Sequence, residues 1–105
     1  MDFERLIGLA DVKEKQAFAY TSIYNGKVSN DDLQKGIDEY CEQMAISFIA
    51  EHKELLSDDK IRLQLRRHMF NIGANNKHSG HRFYEALYTK IRAFENEMTQ
   101  NERDL

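Results

Sequence analysis

The chain contains neither proline nor tryptophan, only five glycines and a single cysteine. Without proline no residue has its φ locked or its backbone donor removed, and so few glycines leave little material for many tight turns. Long helices joined by a few connections are therefore expected, not a many-stranded sheet. Cys41 alone cannot form an intrachain disulfide, so the core must hold the fold, as in a reducing, cytoplasmic setting. An apolar run of membrane-spanning length is also missing. The opening "MDFERLIGLADVKEK" places acids ahead of its apolar residues, unlike a signal peptide, so a soluble protein without membrane contact is expected.

What is present is ordinary globular material. The 105 residues are 41% hydrophobic and include six Phe and five Tyr. That is enough for one domain spanning 1–105 with a single core.

Apolar spacing divides the chain into four expected helices, roughly 3–24, 30–56, 58–72 and 79–100, in an all-α antiparallel bundle. In the first, Phe3, Leu6, Ile7 and Ala10 recur at helical spacing. Gly8 weakens the middle, so one helix or two short ones fit, with Asp11 as a cap and Val12, Gln16, Ala19 and Ile23 along one face. Asn25-Gly26 also suits a hairpin turn, but no third strand is at hand to support one.

Ser29 and Asp32 form an acidic variant of the capping box and open the second helix. Its buried stripe reads Leu33, Ile37, Tyr40, Met44 and Phe48, widened by Cys41, Ala45, Ile49, Leu55 and Leu56. Glu51 falls on that stripe, so the helix should bend, rotate its buried face or fray before Leu56. Ser57-Asp58-Asp59 signals a new start with Ser57 as the cap, and Gly73 is placed to end the third helix in a left-handed conformation. That helix buries Ile61, Leu65, His68 or Met69, and Ile72, while Leu63 and Phe70 lie on its other side. Phe83, Leu87, Ile91, Phe94 and Met98 form the stripe of the fourth helix, and the tail "TQNERDL" should fray.

Charge is distributed unevenly. Residues 1–59 carry six Lys/Arg against thirteen Asp/Glu, residues 60–94 eight against one, and residues 95–105 one against four. The basic stretch 60–92 also holds three of the four histidines. This pattern suggests a polyanion-binding hairpin. Arg62, Arg66, Arg67, Lys77, Arg82 and Arg92 would meet phosphates, and Tyr84 and Tyr88 would stack on bases. His78, Ser79 and His81 would donate near a helix start. Single-stranded or structured RNA or DNA is the expected partner. The competing explanation is internal, since the acidic first half has the charge to neutralise the basic hairpin.

A protein partner is the second reading, either through the acidic first half or through Leu63, Phe70, Tyr20 and Tyr24, which are large groups left over once one side of each helix is buried. A homodimer would be one form of it. No catalytic or cofactor motif stands out. His78 and His81, joined by His68, His52 or Cys41, lack the ligand cluster zinc requires, so no metal is assigned. Arg62 and His68 are spaced in a way that acid–base chemistry can use, but seven arginines and four histidines make such a spacing expected by chance. The protein is thus read as a non-catalytic binding module.

Overall fold

The computed structural model describes the backbone of residues 2–24, 31–74 and 81–103, with side chains over 2–20, 35–74 and 81–98. Those residues form α1 (Asp2–Tyr24), α2 (Asp31–Glu51), α3 (Lys53–Leu56), α4 (Asp59–Asn71) and α5 (Arg82–Arg103). The described residues contain no strand, and the architecture is an all-α bundle. The Asn25-Gly26 turn and the Ser29 cap lie outside the described residues.

α1 is one helix that passes through Gly8 and Asp11 without interruption. Its buried line is Leu6, Ala10 and Ala17, with Phe3, Ile7 and Tyr20 packed beside it. Val12 is half exposed and Gln16 and Ala19 are exposed, so the face expected from those residues points outward instead. Larger apolar groups on the Leu6 side decide which face wins.

α2 buries Ile37, Cys41, Ala45 and Phe48. Tyr40, expected on that stripe, stands at its edge with its ring stacked on Tyr20, centroids 4.2 Å apart. At the other end of the pair, Leu6 and Leu9 border a cleft shared with Ala50 and Leu55. These two contacts fix α1 and α2 as an antiparallel hairpin.

The expected disturbance near Glu51 takes the form of a break. His52 leaves helical geometry at φ −117°, ψ 27°, and the short α3 resumes from Lys53. The break turns Glu51 outward while Leu56 becomes fully buried. The next start is one residue later than expected. Asp58 is the cap, its side chain accepting the Lys60 N–H at 2.8 Å, whereas Ser57 closes α3 by donating its hydroxyl to the Lys53 carbonyl.

α4 ends as its sequence suggests. Gly73 takes φ 82°, its N–H donates to the Phe70 carbonyl, and the Ala74 N–H donates to Met69. This pair of bonds is the Schellman arrangement, and Ala74 is buried beneath it.

α5 buries Phe83, Leu87 and Ile91 completely, with Phe94 and Met98 half-buried. It continues to Arg103, so the tail extends this helix beyond the residue at which it was expected to fray. His68 meets Tyr84 and Arg62 meets Phe94, so α4 and α5 also run antiparallel. Burying each of the three large side chains contributes about 1.5–3 kcal/mol, more than a typical surface ion pair, so apolar packing and not charge sets the architecture.

Candidate functional site: the outer edge of the basic hairpin

The basic residues of α4 and α5 divide by what they touch. Arg62 is buried, 6% exposed. It donates to the Leu56 carbonyl at 2.7 Å, pairs with Asp59, and lies over the Phe94 ring at 6.0 Å. Arg66 sits at ion-pair distance from Glu95, 2.9 Å, without the alignment of a hydrogen bond. Arg82 donates to Asp38 at 2.7 Å, and Lys90 pairs with Glu42 at 2.8 Å. Much of the hairpin's charge is thus answered from within the chain, that of Arg82 and Lys90 by α2 and that of Arg62 and Arg66 by acids of α4 and α5 themselves.

Two of the expected stacking and phosphate-binding groups face inward. Arg62 directs its guanidinium into the α3–α4 turn because the Leu56 carbonyl has no helical partner there. Tyr84 is 2% exposed because its ring fills the junction of α1, α4 and α5. Its hydroxyl donates to Asp11, and the edge of its ring meets His68, centroids 5.6 Å apart. Burial and the bond to Asp11 both push the Tyr84 phenol far above its ordinary range. Lys77, His78 and Ser79 lie outside the described residues, as does the side chain of Tyr24.

Around Tyr84 the carboxylates and histidines meet. Glu14 accepts the Tyr84 backbone N–H at 2.9 Å, taking up one of the free donors at the start of α5. The His81 Nδ1 lies 3.6 Å from Glu14, and the His68 Nε2 lies 3.8 Å from Asp11. Burial raises the Glu14 carboxyl above its ordinary range and Glu85 adds to the rise, while the Tyr84 N–H and His81 pull it down. Neither Asp11 nor Glu14 was singled out for this role from sequence, where Asp11 reads as a cap. Their i, i+3 spacing was the available signal.

Among the described residues of the basic hairpin, Lys60, Arg67 and Arg92 are exposed, with Tyr88 half-buried beside Arg92. Arg67 is exposed and forms no ion pair with a described residue. Arg92 lies over the Tyr88 ring at 6.0 Å, and its guanidinium donates to the Tyr88 hydroxyl at 3.4 Å. Beside Arg67 on the same helix, Leu63 is 38% and Phe70 58% exposed. Lys60, Leu63, Arg67 and Phe70 follow at spacings of three, four and three, so they form one strip along α4. Tyr20, the other residue expected to make an interface, is half-buried against Tyr40.

A groove of about 420 Å³ runs beside this strip between α1 and α4. Phe3 and Ile7 supply its apolar lining, and Gln64, Arg67 and Asn71 its polar edge.

Among the described residues no group of three or more His, Cys, Asp and Glu side chains is arranged to hold a metal ion, and no helix is long and apolar enough to cross a membrane. Arg62 and His68 do not converge, since one is held by the α3–α4 turn and the other faces Asp11. No family model, curated protein or solved structure matches this chain.

Proposed function

We propose that this protein is a non-catalytic helical module that binds a protein partner along the outer strip of α4. The observation that carries this reading is the exposure of Leu63 and Phe70 on one line with Arg67 between them. A strip that alternates apolar and cationic groups complements a segment presenting apolar side chains beside carboxylates, such as an acidic amphipathic helix. The positive strip opposes pairing with a second copy through the same face, so a different chain is the favoured occupant.

Nucleic acid is the second reading, supported by exposed Arg67 and by the Arg92–Tyr88 pair, which joins a guanidinium to an aromatic face. Internal pairing of Arg62, Arg66, Arg82 and Lys90 weakens it, because each contact to a phosphate must first displace a carboxylate or a carbonyl.

Salt dependence separates the two. The full chain is used to capture partners from lysate, with and without nuclease, and a labelled single-stranded oligonucleotide is titrated in parallel. Nuclease-resistant capture that is lost in Phe70→Asp and varies little with salt supports the protein reading. Oligonucleotide binding that falls steeply between low and physiological salt, and is lost in Arg67→Glu/Arg92→Glu, overturns it.

A further inference from the structure

We propose that the outer face shared by α1 and α2 seats the same face of a second copy of this chain, forming a two-fold dimer. In α1, Leu9, Val12, Gln16 and Ala19 follow at spacings of three, four and three, and all four are exposed. In α2, Gly36, Tyr40, Gln43, Ser47 and Ala50 follow at four, three, four and three, and all five are exposed. Alternation of three and four is the spacing by which one helix packs on another, yet the described residues leave both stripes open. The two stripes adjoin. Leu9 and Ala50 border one cleft at one end, and at the other Tyr40 stacks on Tyr20, the residue after Ala19.

This face carries no charge. α1 and α2 hold seven charged side chains each, and none stands on either stripe; Arg5 and Glu51 sit at the rim of the cleft, beyond Leu9 and Ala50. In a chain that is 31% charged, an exposed helix face ordinarily takes a share of that charge, and depletion of it is the compositional mark of an interface core. Leu9 is 39%, Val12 51% and Tyr40 36% exposed, so the face also holds apolar groups that gain from being covered. Ala19, Gly36, Ser47 and Ala50 are small, which lets a facing helix approach closely.

The chemistry of the face selects a second copy as its occupant. An uncharged surface meets its own copy without repulsion, whereas discrimination of a different chain calls for opposed charges, which the α4 strip has and this face lacks. Both helices carry the same alternation, so a two-fold axis sets like spacing against like. The stripes are about 20 Å long and two helices cover about 20 Å across, so pairing would bury on the order of 1,000 Å² in total, the lower limit for a specific interface. That size fits a reversible, concentration-dependent dimer. Asp11 meets His68 of α4, and Val12 points about 100° further round α1, so the face is turned away from α4. The dimer leaves both α4 strips open and would present them as a pair. It stands whether or not α4 binds a partner.

The test is sedimentation equilibrium of the full chain at physiological ionic strength, from about 1 μM to about 500 μM. The wild type, 12.4 kDa as a single chain, is expected to approach twice that mass as concentration rises. Val12→Glu buries an unpaired charge in the contact and should move the midpoint at least about tenfold to higher concentration. Phe70→Asp, on α4, should leave the midpoint unchanged. Circular dichroism establishes that each variant folds; should Val12→Glu fail to, Ser47→Glu, also at an exposed position, takes its place. A wild type that stays monomeric throughout overturns the proposal. So does a dimer that Val12→Glu leaves intact or that Phe70→Asp abolishes.

Discussion

The guanidinium of Arg62 donates to the backbone carbonyl of Leu56 at 2.7 Å, bridging the turn between α3 and α4. An arginine from the most basic segment is thereby a structural staple, and its charge is met by Asp59 at the first turn of its own helix. Arg62→Ala should destabilise the fold by about 2–4 kcal/mol, since it leaves a buried carbonyl unpaired and removes the aliphatic stem. Arg62→Met keeps most of the stem and should cost about 1–2 kcal/mol. Urea denaturation of both variants measures the order. If Arg62→Ala falls within about 0.5 kcal/mol of wild type, the staple is wrong.

Gly73 and Gly36 form a second comparison. Neither meets an atom within 4 Å of an added Cβ, so substitution acts through backbone conformation alone. At Gly73 the φ of 82° penalises any side chain, and Gly73→Ala should lower stability by about 1–2 kcal/mol. Gly36 lies inside α2 and is exposed, so Gly36→Ala should raise stability by about 0.5–1 kcal/mol. Opposite shifts in melting temperature check the pair. A loss at both positions contradicts the open space around Gly36.

The helices and some of their ends were legible because they follow from neighbours in sequence, although the cap of α4 fell at Asp58 and not Ser57 and α5 ran on to Arg103. Glu51 on an apolar stripe marks the break at His52, and Gly73 marks the end of α4, both through contacts within a few residues. The site was less legible because its decisive contacts link distant positions. Tyr84 and Tyr88 sit one turn apart beside the same stripe, and nothing local says that only Tyr84 is buried, with Asp11 as its partner. Arg62 likewise reads as one of three similar cations until the turn places Leu56 beneath it. Charge totals indicated that the halves balance but not that Asp38 and Glu42 would be the acids that meet Arg82 and Lys90.

Cys41 should be chemically quiet. It is 2% exposed, and burial lifts its thiol to about 11. At pH 8 its thiolate fraction is then roughly 10²-fold below that of a free cysteine, before access is considered. Labelling with a thiol reagent at pH 8 should be at least about 100-fold slower than for a model thiol, accelerating only where urea unfolds the chain. Fast labelling of the folded protein would contradict the burial of α2 against α5.

Phe70 is the sharpest test of the proposed interface, because its ring is 58% exposed and contributes little to the core. Phe70→Asp should change folding stability by no more than about 0.5 kcal/mol. A central aromatic anchor in a protein interface commonly contributes 2 kcal/mol or more, so the same change should weaken partner binding by about 30-fold or more. Leu63→Asp, on the same strip, should act in the same direction with a smaller effect, since the side chain is smaller and less exposed. Lys60→Ala removes a neighbouring rim charge and should mainly slow association and reduce its salt dependence. Circular dichroism and urea titration establish that each variant folds, and binding is then measured by surface plasmon resonance against the captured partner. Equal affinity of Phe70→Asp and wild type would place the interface elsewhere, with the exposed face of α2 around Ile46 next to be tested.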